Sequence, residues 1–225
     1  MQCQDILDRL RALSDPEAVE GMARFGINPD QTLGVGLPAI RAMAKEIGKD
    51  HNLALELWTT GIREARLVAG LMAEPKLATG ELLDKWVADF NSWDVCDGTC
   101  MNLFEKTEFA WDKAVEWSGK DEEFIKRAGF VMMARLAVSD KKAEDGQFEP
   151  FLPIIKRESW DERNYVKKAV NWALRQIGKR SHYLNRLAVE TGEEIRELGT
   201  KSARWIAADA LRELTDQKTL ARIKR

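Results

Sequence analysis

The sequence predicts an all-α fold in which helical hairpins stack into an α-solenoid. Apolar residues recur at helical spacing along the chain, for example at Leu82, Leu83, Trp86, Val87 and Phe90. No segment sustains the alternation of apolar and polar residues that a half-buried strand requires. A short motif also recurs at intervals typical of helical-pair repeats. We therefore expect about ten to thirteen helices, joined by short loops in a single domain over residues 1–225.

Two segments carry the signals of a helix start. Ser14-Asp15-Pro16-Glu17 combines an N-cap residue, a proline at the first helical position and an early acid. Ser159-Trp160-Asp161-Glu162 has the spacing of a capping box, which predicts a helix from about Trp160 to Lys179. The longest polar interruption, Ser139 to Gln147, is predicted to be a surface loop within the array.

The repeated motif is a basic residue, any residue and then alanine. It occurs before Ala65, Ala128, Ala169 and Ala203, which are 63, 41 and 34 residues apart. If Gly98 is a degenerate member, the first interval divides into 33 and 30, and every interval then matches a helical pair. Stacked pairs bury apolar faces that one pair cannot bury alone, and they line one surface with equivalent positions of successive second helices. A non-repeating α-bundle is the alternative.

The charge of the chain is unevenly distributed. Its 35 Lys and Arg against 37 Asp and Glu give a net charge of −2, which by itself argues against a nucleic-acid partner. Residues 163–225, however, hold 15 Lys and Arg against 7 Asp and Glu, or +8, so residues 1–162 carry −10. This basic C-terminal third is suited to neutralising a phosphate backbone, and the alternative is a solvated face.

The remaining composition bears on location and cofactors. No apolar run is long enough to span a membrane, and Met1 to Ala12 lacks the apolar core of a signal peptide, so we predict a cytoplasmic protein. Cys96 and Cys100 have the spacing of buried residues on one helix face. His51 and His182 show no ligand spacing. We predict no metal, nucleotide or redox cofactor.

One predicted helix displays a tryptophan on the side away from its apolar stripe. In the helix from about Trp160 to Lys179, Trp172 faces away from the stripe beside Tyr165 and three cations. These cations are Lys168, Arg175 and Lys179. An outward aromatic among cations is typical of a platform for nucleic acid, in which the cations bind phosphates. The alternative is that Trp172 packs on the next repeat and that the cations only increase solubility.

A second predicted helix begins near Trp93 and carries Asp97 one turn later, at the border of its apolar stripe. Asp94 is expected to point to the other side. A carboxylate at the edge of buried surface needs a partner or has a raised pKa, so Asp97 is a candidate functional acid. The alternative is a structural aspartate paired with a basic neighbour.

Arg127 supplies a possible counter-charge. It begins a nearly continuous apolar segment, where an arginine is costly unless it is paired or faces a cleft. It lies directly before the motif alanine, in the position that Asp97 and Lys168 also occupy. If the repeats stack in register, these three residues form a row on one face, with Trp93 and Trp172 one turn away. Such a row suits an anionic polymer whose reacting centre becomes positive.

Four segments resemble the motifs of AlkD-like DNA alkylation repair proteins, in the same order and across nearly the whole chain. They are Gly34-Val-Gly-Leu-Pro-Ala-Ile-Arg41-Ala-Met-Ala-Lys45-Glu46-Ile, Trp93-Asp94-Val-Cys-Asp97, Phe124-Ile-Lys-Arg127-Ala and Lys167-Lys168-Ala-Val-Asn-Trp172-Ala-Leu-Arg175. The resemblance implies an α-α superhelix of HEAT/ARM-like repeats with a basic concave groove for duplex DNA. It also implies a DNA glycosylase that removes cationic N3- or N7-alkylated purines.

The resemblance assigns roles to individual residues. The catalytic aspartate of the family falls on Asp97, its two groove tryptophans on Trp93 and Trp172, and its groove arginine on Arg127. Phosphate contacts are expected from neighbouring basic residues, namely Lys126, Lys168, Arg175, Lys179 and Arg180. Because an alkylated purine is already cationic and leaves readily, Asp97 needs only to stabilise the positive sugar and to position water.

The implied partner is double-stranded DNA carrying alkylated bases. The protein is expected to bind it as a monomer in a bacterial-type cytosol. When bound to DNA, the protein would associate with the nucleoid. Two alternatives stay open: a non-catalytic HEAT-repeat module that binds damaged or branched DNA, and a protein–protein scaffold, for which solenoids are common. The segment Ser139 to Gln147 is longer than the connection usual in the family.

Overall fold

The computed structural model describes residues 1–223, and within them the chain forms fourteen α-helices, two 3-10 turns and no strand. The all-α prediction is confirmed, with one helix more than expected because residues 217–220 form a short additional helix. The residues cluster into two compact units, 1–107 and from 108 onward. Because each repeat of a solenoid contacts chiefly its neighbours, such arrays divide readily, and the single domain over residues 1–225 stays a prediction.

The first unit contains seven helices and one 3-10 turn. They are α1 (Cys3–Ala12), α2 (Pro16–Arg24), α3 (Leu37–Ile47), α4 (His51–Thr59), α5 (Arg63–Met72), α6 (Gly80–Ala88), α7 (Trp93–Asn102) and the turn Phe104–Lys106. Asp15 caps α2 by accepting a hydrogen bond from the Ala18 backbone N–H at 3.0 Å, and Pro16 takes the first position, as predicted. In the core, the rings of Trp58 and Trp86 stack 3.9 Å apart.

The second unit contains seven more helices and one 3-10 turn. They are α8 (Ala110–Ser118), α9 (Glu123–Ser139), the turn Asp145–Gln147, α10 (Phe151–Glu158), α11 (Asn164–Gly178), α12 (His182–Glu197), α13 (Lys201–Leu214) and α14 (Gln217–Leu220). Helix α9 packs against both α8 and α11, and eleven of its seventeen residues are buried. Its nearly continuous apolar sequence predicts this double coverage. No helix within residues 1–223 has the length and apolar character needed to cross a membrane.

The repeated alanines occupy equivalent buried positions. Ala65 lies on α5, Ala128 on α9, Ala169 on α11 and Ala203 on α13, and each is at most 1% exposed. Helix α5 packs against α7 in the first unit, and α11 packs against both α9 and α13 in the second. Within each unit, the helices that carry the motif therefore lie side by side, as a stack of helical pairs requires.

The predicted capping box at Ser159 is wrong. Ser159 follows the last residue of α10, and its hydroxyl donates a hydrogen bond to the Lys156 carbonyl oxygen at 2.7 Å. Helix α11 begins only at Asn164. The buried Asp161 carboxylate accepts hydrogen bonds from the backbone N–H and the guanidinium of Arg163, which holds residues 159–163 in a turn outside the helix.

Gly129 marks the closest approach of α9 to α8. A Cβ at this position would lie 2.4 Å from Ser118 N and 2.9 Å from Ala114 O, and these backbone atoms cannot rotate away. We expect Gly129→Ala to lower the free energy of unfolding by about 1–3 kcal/mol, although alanine has the higher helix propensity. Urea denaturation measures the change.

Gly21 in α2 provides the matched control, because a Cβ there meets no heavy atom within 4 Å. Gly21→Ala is expected to raise the free energy of unfolding by about 0.5–1 kcal/mol through helix propensity alone. Two substitutions of equal effect would contradict the close packing of α8 on α9.

Candidate nucleic-acid interface

Trp93 occupies the first position of α7 and is half-buried. Its indole Nε1 donates a hydrogen bond to the Phe25 carbonyl oxygen at 3.1 Å, which holds the ring beside the turn after α2. The side chain of Phe25 is 78% exposed. The residue that accepts the Trp93 hydrogen bond thus carries an exposed aromatic side chain, and the sequence analysis did not select it. The sequence offers only a weak signal for Phe25, namely its place directly before a glycine. In the structure this glycine, Gly26, adopts a positive φ of 78°.

Asp94, which the helical pattern places on another side of α7 from Asp97, is buried in an ion-pair network. Arg63 Nη2 lies 2.6 Å from Asp94 Oδ2, and Arg63 Nη1 lies 2.8 Å from Glu64 Oε1. Glu64 also accepts hydrogen bonds from the backbone N–H groups of Leu33 and Gly34, at 2.9 and 3.0 Å. The network therefore fixes the first turn of α7 to α5 and to the loop that precedes α3.

Asp97 lies one turn after Trp93 on α7 and is half-buried. The two aspartates of this helix therefore differ in environment. Asp94 is 8% exposed and neutralised by Arg63, which makes it a structural residue. Asp97 remains partly accessible one turn from Trp93, and this position leaves it as the candidate functional acid.

Arg127 is 6% exposed on α9, and its Nη1 donates a hydrogen bond to the Tyr165 carbonyl oxygen at 2.6 Å. The cost of burying the guanidinium is thus offset by a contact to the first turn of α11. The ring of Tyr165 stacks on Phe124 of α9, with centroids 5.4 Å apart. Within the second unit, Arg127 therefore lies next to the first turn of α11, the helix that carries Lys168.

Lys126 is predicted to contact phosphate, but its side chain is buried and paired with carboxylates. It is 4% exposed, and its Nζ lies 2.8 Å from Glu158 Oε2 and 3.7 Å from Asp161 Oδ2. The ammonium also lies 5.7 Å from the ring centroid of Trp160. Because two buried carboxylates neutralise it, Lys126 links α9 to the turn before α11, and a phosphate contact would first have to break this pair.

The outward face of α11 carries Lys168 and Trp172, as the helical pattern predicts. Lys168 is exposed, and no residue within 1–223 forms an ion pair with it. Trp172 is half-buried, and its Nε1 lies 3.0 Å from the side-chain amide oxygen of Gln176, to which it donates when the amide is oriented toward it. This contact holds the indole along the helix and leaves one part of the ring accessible.

Arg175 and Lys179 share a carboxylate on the neighbouring helix. Arg175 Nη1 lies 2.8 Å from Glu213 Oε2, and Lys179 Nζ lies 2.7 Å from Glu213 Oε1. Burial raises the pKa of Glu213, but the two cations outweigh this effect and hold the pKa below its ordinary value. Glu213 therefore stays ionised and competes with phosphate for both residues.

Arg180 is engaged with the loop between α9 and α10. Its guanidinium donates hydrogen bonds to the carbonyl oxygens of Ala137 and Ala143 and lies 4.4 Å from the ring centroid of Phe148. Its Nε lies 3.5 Å from Asp145 Oδ1. The side chain is only 11% exposed, so its first role is to hold this loop against the end of α11.

Helix α13 extends the basic surface in a way that the sequence analysis missed. Trp205 is 40% exposed, and Lys167 Nζ of α11 lies 5.5 Å from its ring centroid. Lys201 and Arg204 are exposed on the same helix, four residues and one residue before Trp205. The available signal was the motif Lys201-Ser-Ala-Arg204-Trp205, which repeats the pattern of a cation followed by an outward tryptophan.

The candidate residues fall in both units, with Trp93 and Asp97 in the first and Arg127, Lys168 and Trp172 in the second. The single row that the repeat register suggests stays a prediction. Within residues 1–223 no group of three or more His, Cys, Asp or Glu side chains has the arrangement of a metal site. The side chains of Cys96 and Cys100 on α7 are buried, as predicted.

Comparison with known proteins identifies the fold and the family. One solved structure is described as belonging to "A new family of proteins related to the HEAT-like repeat DNA glycosylases with affinity for branched DNA structures". It matches with a TM-score of 0.77 at 21% sequence identity, covering 94% of this chain and 95% of that chain. A comparison with curated proteins finds no match.

The fold and its stacked motif helices define a protein of HEAT-like helical repeats. The family model described as DNA alkylation repair enzyme matches residues 6–214. The chain therefore belongs to the DNA alkylation repair enzyme family, which confirms the resemblance seen in the sequence motifs.

Proposed function

We propose that the protein binds duplex DNA and hydrolyses the N-glycosidic bond of cationic N3- or N7-alkylated purines. The observation that carries this proposal is the contrast between the two aspartates of α7. Asp94 is buried and neutralised by Arg63, whereas Asp97 stays partly accessible one turn from Trp93. A rigid helix that presents a partly accessible carboxylate one turn from a tryptophan is suited to stabilising a positive charge that develops on DNA.

The chemistry requires little from the protein beyond this carboxylate. An alkylated purine carries a positive charge, so it leaves as a neutral base without protonation by a general acid. As the bond breaks, the deoxyribose acquires oxocarbenium character, and the electrons of the broken bond neutralise the base. The carboxylate of Asp97 stabilises the positive sugar and orients a water molecule, whose oxygen bonds to the anomeric carbon while one of its protons passes to that carboxylate.

Aromatic and basic side chains would hold the DNA. Trp93, Phe25 and Trp172 offer faces for contacts with sugars and with a cationic base. Lys168 is exposed on α11, and Lys201 and Arg204 are exposed on α13, where they are available to phosphates. These residues give the basic C-terminal third of the sequence a surface suited to a nucleic-acid backbone.

Lys168→Ala tests the predicted phosphate contact on α11. We expect it to weaken the affinity for duplex DNA and to reduce the slope of log K against log salt by about one, because one phosphate contact is lost. Fluorescence anisotropy with a labelled duplex at several salt concentrations measures both quantities. Lys76→Ala, which removes an exposed lysine of the first unit, is the control.

The activity itself is tested by incubating the wild-type protein with duplex DNA that contains 7-methylguanine and quantifying the free base. Release of 7-methylguanine supports the glycosylase. Binding without release supports a second candidate, a non-catalytic module for damaged or branched DNA, which is favoured by the affinity for branched DNA stated for the structural relative. Affinity that is absent, or independent of salt, would contradict both functions and favour a protein–protein scaffold.

A further inference from the structure

We propose that a cavity of about 580 Å³ in the second unit is a phosphate-binding site, distinct from the α7 carboxylate. Its walls are formed by the end of α9, the end of α11, the beginning of α12, the loop after α9 and the segment after α14. The lining residues are Ala137, Val138, Lys141, Asp145, Gln176, Lys179, Arg180, Ser181 and Arg222. The proposal deepens the proposed function and rests on it for the source of the phosphate.

The lining is strongly cationic. Four basic side chains, Lys141, Lys179, Arg180 and Arg222, line the cavity with one carboxylate, Asp145, and Glu213 outside the lining pairs with Lys179. Lys141 and Arg222 are exposed, and within residues 1–223 neither forms an ion pair. Cations brought together from separate segments repel one another, so their convergence on one cavity favours an anionic occupant.

Arg180 forms a rigid part of this site. Its hydrogen bonds to the Ala137 and Ala143 carbonyls fix the guanidinium, and Asp145 forms an ion pair with it. In the described residues, its buried Nε has no hydrogen-bond acceptor, and the nearest carboxylate oxygen, of Asp145, lies 3.5 Å away. A guanidinium that carbonyl oxygens already hold in place can bind an oxyanion with little loss of conformational freedom.

Two further features favour an oxyanion. Ser181, on the cavity wall, is the N-cap of α12, a helix of sixteen residues whose positive dipole end therefore lies at the cavity. Gln176 lines the cavity and contacts both Trp172 Nε1 and Lys179 Nζ through its amide oxygen. The cavity thus adjoins the outward face of α11, where a strand in contact with Trp172 would bring its phosphates.

The segment from Ser139 to Gln147, which the sequence predicts to be a surface loop, has a role in this arrangement. Arg180 fixes the loop through the Ala143 carbonyl, and the fixed loop contributes Lys141 to the cavity. The loop therefore forms one wall of the cavity.

The test compares two double variants that remove the same charge. Lys141→Ala with Arg222→Ala removes two cavity cations, and Lys142→Ala with Lys218→Ala removes two exposed neighbours outside the cavity. Anisotropy with a labelled duplex is expected to show at least a tenfold loss of affinity for the cavity variant. Its salt slope should fall by about two, against less than a twofold change for the control. Thermal unfolding of both variants checks that the fold is retained.

Titration calorimetry with inorganic phosphate separates the two sources of the ligand. Loss of phosphate binding in the cavity variant with unchanged duplex affinity supports the site and assigns it to free phosphate. Loss of both supports a nucleic-acid phosphate. Unchanged binding of both probes overturns the phosphate site and leaves the proposed function standing. A wild-type protein that binds phosphate but no duplex overturns the proposed function and leaves the site standing.

Discussion

Asp97→Asn is expected to slow the release of 7-methylguanine from methylated duplex DNA by at least about 100-fold, the loss typical when one preorganised electrostatic group is removed. Asparagine has nearly the same shape, so the packing of α7 is preserved and only the negative charge is lost. The affinity for DNA should be unchanged or higher, because the substitution removes a charge that repels phosphates. Single-turnover release of the base, together with anisotropy on the same duplex, separates the two effects.

Asp112→Asn is the matched control, since Asp112 is an exposed aspartate on α8. It should leave both quantities unchanged. If Asp97→Asn released the base at the wild-type rate, Asp97 would have no part in the mechanism. A parallel loss of affinity and rate would instead indicate that the substitution disturbs the DNA-binding surface.

Arg63→Met is expected to lower the free energy of unfolding by about 3–5 kcal/mol, the cost of leaving a buried charge without its partner. The Arg63 and Asp94 side chains are each 7% exposed and that of Glu64 is fully buried, so one guanidinium compensates two carboxylates that water cannot reach. Methionine retains much of the apolar volume, which makes charge the main difference. Urea denaturation followed by circular dichroism measures the loss.

The same substitution should also weaken the function, because the network anchors the first turn of α7, which carries Trp93. Arg41→Met, at an exposed position of α3, is the control and should change stability by no more than about 0.5 kcal/mol. A triple variant, Arg63→Met with Glu64→Gln and Asp94→Asn, should recover part of the lost stability. If Arg63→Met were as stable as the wild type, the buried network would not support α7.

The sequence predicts the helices well where the apolar period is long, and less well at their ends. The apolar segment of α9 predicts a helix covered on two sides, and the motif alanines predict which helices lie side by side. Helix α11 begins at Asn164, later than the predicted capping box at Ser159 indicates, because tertiary contacts hold the preceding residues outside the helix. Of the two predicted capping-box residues, Ser159 donates to the Lys156 carbonyl and Glu162 accepts a hydrogen bond from the Ser202 backbone N–H. Asp161 between them is buried with Lys126 and Arg163.

The candidate site shows the same division. Helical spacing alone places Trp172 and Lys168 on the outward face of α11, and places Asp97 one turn from Trp93. It does not distinguish a cation that faces solvent from one that faces a buried carboxylate, so Lys126 and Lys168 look alike in sequence. Lys126 differs because it pairs with Glu158 and Asp161. These residues lie 32 and 35 positions further along the chain.

The sequence by itself determined the fold class, the repeat interval, the family and the aromatic and basic face of α11, because these depend on periodicity and on motifs within one helix. Only the tertiary structure decided which charged side chains are held in ion pairs or hydrogen bonds within the protein. Asp94 and Lys126 form buried pairs, Arg180 holds a loop, and Phe25 remains exposed beside Trp93. The physical reason is that an ion pair or an exposed ring depends on neighbours brought together by folding, and local spacing contains no record of them.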